Sequence, residues 1–189
     1  MLRAIGVMLI LCSVAKAQIP GQDPDWPCAQ RLVTTLEAGS YWSGPVPQHT
    51  AWRDDETLFP LVNDVVDRDT SDADAMQKIT AYIAKAPEGS RPALFSALVD
   101  QTNDQRSVLI ARLEQIGRRQ RGMGETIAAL SNKLDAMGAD DPNRENVTGE
   151  RDLDVRAFQQ TQRTIRYACE APANMERRLG SLARLLQSH

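Results

Sequence analysis

From Phe95 to Met137 the chain keeps a spacing of four and three without a break: Phe95, Val99, Thr102, Arg106, Leu109, Leu113, Ile116, Gln120, Met123, Ile127, Leu130, Leu134 and Met137. A strand would alternate every two residues, so this period admits only a helix with one face packed on other helices. It predicts a single long helix from about Ser90 to Met137, with Ser90 as N-cap and Pro92 in the first turn, where a missing N–H costs little. Gly117, Gly122 and Gly124 each weaken its interior by up to about 1 kcal/mol relative to alanine and mark where a bend would fall. The polar seam positions Thr102, Arg106 and Gln120 mark where packing would be loose or where a partner would enter.

A second run repeats the pattern through Val155, Phe158, Gln162, Ile165, Cys169, Pro172, Glu176, Leu179, Ala183 and Leu186. Pro172 should kink this helix, because its ring displaces the hydrogen bond to the carbonyl of Ala168. The stretch 138–149, with Pro142 and several acids and amides, reads as the loop of an antiparallel hairpin. Shorter helices are expected upstream. One is capped by Asp25, holds Trp26, Pro27 and Cys28 in its first turn and ends near Ala38 and Gly39. Another covers about 55–67, and a third, capped by Ser71, runs to about Ala86. The expected fold is therefore all-α: a helical bundle built on a long antiparallel helix hairpin with shorter N-terminal helices.

The first seventeen residues have the parts of an export signal: Arg3, an apolar run from Ala4 to Val14, and Ala15-Lys16-Ala17 before Gln18. The run is too short to span a bilayer, which takes about 20 residues. Cys12 belongs to that run, since Leu11 precedes it where a lipoprotein signal has a small residue. The expected organisation is a signal peptide over 1–17, a Trp-rich segment with one short helix over 18–53, and a helical bundle over 54–189. Residues 18–189 form a single domain. Cleavage after Ala17 would remove Arg3 and Lys16 and take the formal charge from −3 to −5. A mildly acidic domain of this size has no electrostatic reason to bind nucleic acid or anionic lipid.

Export places the two remaining cysteines, Cys28 and Cys169, in an oxidising compartment where an isolated pair is expected to be bridged. Only one intramolecular connectivity exists. On the chain-entropy model a loop of this length contributes roughly 5 kcal/mol. The 141 positions between them disfavour a redox centre, which commonly uses Cys-x-x-Cys.

Five of the nine aromatics, among them Trp26, Tyr41, Trp42 and Trp52, fall between Trp26 and Phe59. Such rings either line a pocket or fasten an irregular segment to the bundle. Arg118, Arg119 and Arg121 form a basic patch that would suit an acidic partner or a solvated face. Arg163, Arg166, Arg177 and Arg178 read as solvated helix face. Asp64, Asp67, Asp69, Asp72 and Asp74 do not make an EF-hand, because the sixth and twelfth positions counted from Asp67 are Asp72 and Lys78. The only histidines are His49 and His189, so no Glu-x-x-His pair or haem motif exists. No Gly-x-Ser-x-Gly elbow supports a hydrolase. The expectation is no catalytic residue, no metal and no cofactor.

The run Asp25-Trp26-Pro27-Cys28-Ala29-Gln30-Arg31 is the most specific local motif. With Trp42-Ser43-Gly44-Pro45, Leu94-Phe95, Arg106, Arg119-Gln120 and Tyr167-Ala168-Cys169-Glu170, it resembles an uncharacterised family of small exported proteobacterial proteins. The resemblance implies a periplasmic location and supports the pairing of the two cysteines. It implies no activity or substrate. The function expected is a non-enzymatic periplasmic scaffold that binds another envelope protein through Trp26, Tyr41, Trp42, Trp52, Arg118, Arg119 and Arg121. A seam longer than its covering helices leaves apolar surface for that partner or for a second copy. Two alternatives are a bundle that holds a small hydrophobic ligand beside the segment 41–52, and an envelope holdase chaperone.

Overall fold

The computed structural model describes residues 23–47 and 50–188. The signal segment, His49 and His189 lie outside them. The described residues are helical without a strand. Helix α1 spans Leu58–Val66, α2 Asp72–Ile83, α3 Arg91–Ala136, α4 Arg144–Ala168 and α5 Glu170–Gln187. Short 3-10 turns occur at Ala38–Ser40, Trp52–Asp54 and Glu88–Ser90. Helices α4 and α5 return antiparallel along α3, α1 packs on the N-terminal end of α3, and α2 packs on α1 and α5.

Helix α3 runs for 46 residues, about 69 Å at 1.5 Å per residue, through all three glycines. Ser90 does not cap it: its hydroxyl donates instead to the carbonyl of Pro87 at 2.6 Å. The far end is closed from the next helix. Arg144 donates to the carbonyls of Leu134 at 2.8 Å and Met137 at 3.1 Å, so a cation satisfies acceptors that the helix terminus leaves free. That contact brings the start of α4 back to Arg144, inside the stretch expected as loop. The second arm of the hairpin breaks at Cys169, and Pro172 occupies the third position of α5, as its missing N–H requires.

Upstream, Ser71 caps α2 by accepting the N–H of Asp74 at 3.1 Å. The carboxylate of Asp55 accepts from the N–H groups of Thr57 and Leu58, both at 2.8 Å, and starts α1. Those two donors hold Asp55 below the usual carboxylate range.

The helix expected from Asp25 does not form. Residues 23–37 run as an irregular strap along α3: its start is held by local bonds, Trp26 N–H to the carbonyl of Asp23 at 3.0 Å among them, and further along its backbone groups find partners on the long helices. The Asn103 side chain accepts from the N–H of Leu36 at 2.8 Å and donates to its carbonyl at 3.0 Å. Arg106 donates to the carbonyl of Val33 at 2.7 Å. Gln30 donates to the carbonyl of Cys169. Cys28 is bridged to Cys169, with Cα atoms 5.6 Å apart.

Three apolar clusters follow one another along α3. The largest joins Val62, Val65 and Ile79 of α1 and α2 to Leu94 and Leu98 of α3 and to Leu179, Leu182 and Leu186 of α5. The second surrounds the disulfide with Trp26, Ile110, Leu113 and Ile165. The third, Leu130, Leu134 and Val147, closes the tip of the hairpin. Between the second and third clusters, no residue is buried from 114 to 129 on α3 or from 148 to 164 on α4.

Candidate functional site

The aromatic segment is a fastener. Trp52 is 1% exposed, stacks on Phe59 at 6.2 Å and carries the Arg53 guanidinium 4.3 Å over its ring. Trp42 stacks on Phe95 of α3 with centroids 5.0 Å apart. Trp26 is 7% exposed and donates to the carbonyl of Gln30 at 2.7 Å. Tyr41 is half-buried against Gly180, and burial pushes its phenol above the ordinary 10.0. Trp26 and Trp52 thus have almost no surface left to offer a partner, because their rings serve the chain's own core.

The basic patch is also partly spent. Arg118 contacts Asp25 at 3.0 Å, and Arg121 contacts the other oxygen of the same carboxylate and the carbonyl of Pro24 at 3.0 Å. The two guanidiniums hold Asp25 well below the usual carboxylate range, the hydrogen bond from Arg121 having the larger effect. Arg119 remains exposed on the helix surface. The backbone of the strap passes so close to α3 here that a Cβ on Gly117 would overlap the carbonyl oxygen of Asp25.

Arg106 is not a point of loose packing. It is 1% exposed and donates to the carbonyls of Pro172 at 2.9 Å and Val33 at 2.7 Å, with Glu176 at 3.0 Å. One guanidinium therefore joins the strap, α3 and the start of α5, and its fork geometry is what lets it reach three acceptors. Arg178, expected on a solvated face, ties down the α1–α2 linker. It reaches Asp72 at 2.7 Å and the carbonyls of Asp67 at 2.8 Å and Thr70 at 2.6 Å. The acids of that linker are occupied in turns and caps. Asp67 accepts from the N–H of Asp69, and Asp64 pairs with Lys78.

Holding the linker against α5 creates a feature that periodicity did not reveal, an open groove of about 930 Å³ between the linker, α3 and the α4–α5 break. Thr102, Leu109, Leu179 and Leu182 form its floor, and Val66, Val108 and Met175 stand along its sides. From Thr102 to Arg112 it follows α3 for about 15 Å. Val108 is 53% exposed in it. Arg112 and Arg177 stand at its edges, both exposed, and among the described residues neither pairs with a carboxylate. Arg177 instead donates to the Asn174 amide at 2.8 Å. The size suits a drug-sized or acyl ligand, or one turn or two of a helix. The only sequence trace of the groove was Val108, an apolar residue one position off the seam.

Among the described residues, no three His, Cys, Asp or Glu side chains gather where they would hold a metal ion. No described helix is long and apolar enough to cross a membrane. No protein-family model, curated protein or solved structure matches this chain.

Proposed function

We propose that the chain works in the periplasm as a non-enzymatic helical scaffold that docks an acidic amphipathic segment of another envelope protein into the groove beside α3. The observation that carries this reading is the groove itself, an apolar floor over core leucines edged by two arginines that no carboxylate neutralises. Helix-in-groove docking needs an apolar trough for the buried face of the guest and matching charge at the rim. Here the guest's charge would be negative, although the domain as a whole is mildly acidic. The strap, the disulfide and Arg106 support the same reading, because they make the wall-bearing helices rigid and so lower the ordering cost of binding.

Affinity capture of the exported protein tests it. A helical envelope protein should be retained by the native chain, and Val108→Glu should weaken that retention at least tenfold by placing a carboxylate in the trough. Equal retention by both forms would rule the groove out.

The volume of the groove favours a second reading, an anionic single-chain amphiphile whose tail lies on the leucine floor. Native mass spectrometry of the gently purified chain separates the two. A bound acyl mass that Val108→Glu loses would replace the protein partner with a lipid-like one. This site differs from the one the sequence suggested for a hydrophobic ligand, since Tyr41, Trp42, Val46 and Trp52 are packed into or against the core.

A further inference from the structure

The arm of the hairpin carries an arrangement that the groove does not explain. Residues 112–125 on α3 and 156–166 on α4 hold seven arginines against two glutamates. From residue 126 around the tip to residue 155, seven carboxylates stand against three basic residues. The base of the arm is positive, even with Asp25 clamped by Arg118 and Arg121, and the tip is negative. The stretch without a buried residue takes in most of the base and runs into the tip, and within it Met123, Ile127 and Phe158 are only partly covered.

One side of the arm is the more apolar. Arg112 and Ala168 both line the groove, so helical spacing carries that side along α3 through Arg119, Met123, Thr126 and Leu130. On α4 it passes through Thr164, Thr161, Ala157, Leu153 and Glu150. Leu153 is 62% exposed and Val108 53%, the two most exposed large aliphatic side chains among the described residues, and both lie on this side. Gly124 lies opposite Phe158, 3.8 Å from a Cβ built on the glycine. That pairing puts Leu153 roughly level with Ala129, and Glu150 roughly level with Lys133.

We infer that this side of the arm binds the same side of a second copy, arms antiparallel, about a twofold axis level with Thr126. Only an antiparallel copy brings each positive base to a negative tip, and the symmetry makes the match twice. Met123 then meets Leu153 of the second copy, Arg119 meets its Glu150, and Arg112 meets the tip loop that carries its Asp140. The half-covered seams complete a four-helix bundle, the usual way such a stripe is buried. The lower part of each groove stays open, and the two bodies face outward at opposite ends.

Sedimentation equilibrium of the mature, oxidised chain tests the inference. The native chain should be a dimer at tens of micromolar in low salt, and its dissociation constant should rise more than tenfold in half-molar salt. Arg112→Glu with Arg119→Glu puts negative charge at the two base positions that meet Asp140 and Glu150, and Asp140→Lys with Glu150→Lys puts positive charge at the two tip positions that meet Arg112 and Arg119. Each double variant alone should be monomeric, and an equimolar mixture should recover the dimer, because only the mixed pair matches charges at both ends. Leu153→Arg, at an exposed position that the monomer tolerates, should also be monomeric. A native chain that is monomeric at 100 micromolar would overturn the inference. So would a dimer that survives any of the variants, or a mixture that stays monomeric.

Discussion

Gly117 and Gly122 sit five positions apart on one helix, and sequence alone treats them alike, as two weak points in α3. Their surroundings make them opposites. Alanine at Gly122 meets no atom within 4 Å, so it should raise stability by about 1 kcal/mol through helix propensity. Alanine at Gly117 must push the strap off the helix and should lower stability by about 1–3 kcal/mol despite the same propensity gain. Thermal melts of the two single variants check the sign of each. Asp25 belongs to the same contact. Its folded pKa lies below its ordinary value of 3.8, so its stabilisation is fully present above that value and is lost as pH falls through the folded pKa. Unfolding midpoints should be flat from neutral pH to about 5 and drop below about 4. Asp25→Asn should be less stable at neutral pH and should show a shallower acid drop. An unchanged acid limb in that variant would remove Asp25 from the account.

At the scale of elements, the long helices were legible because periodicity reports which face of a helix is buried, and both seams extend over many turns. The heptad run from Phe95 to Met137 matches α3 to within a few residues, and the break at Cys169 follows from the missing N–H of Pro172, which the first turn of α5 tolerates. The strap was not legible. Asp25, Trp26 and Pro27 make an acceptable helix start, but the segment's backbone is held by Asn103 and Arg106 and its Gln30 side chain reaches the carbonyl of Cys169, contacts that span up to 139 residues and leave no local pattern. For the same reason Arg106 looked like a gap in the seam when it is the point where three segments meet. Arg106→Met should cost about 2–5 kcal/mol, because it strands the carbonyls of Val33 and Pro172 and leaves Glu176 unpaired. Arg106→Lys should recover little of this, since an ammonium does not span the three acceptors. Denaturant titration of both variants decides the point: full rescue by lysine would mean that charge alone matters.

The whole molecule is a body locked at one end and an arm left open beyond it. The Cys28–Cys169 bridge, legible from cysteine count and expected compartment, pins the strap at the junction of the two. Replacing both cysteines with serine should cost about 2–5 kcal/mol, read from urea midpoints with the slope compared, because the unbridged chain regains a very long loop. The candidate partner surface was far less legible than the fold. Tryptophans and arginines are residues that interfaces favour, but composition does not say whether a ring faces outward or a guanidinium is already paired. Here Trp26, Trp52, Arg118 and Arg121 are turned to the chain's own use, and the groove arises where an arginine on α5 holds a distant linker.

Site-specific photo-cross-linking in the periplasm, with the reactive side chain at Val108 and a control at the exposed Gln159, tests the docking role most directly. The account predicts one stoichiometric adduct at Val108, absent from the control, whose attached peptide is amphipathic and acidic. Equal labelling at both positions, or none at Val108, would contradict it.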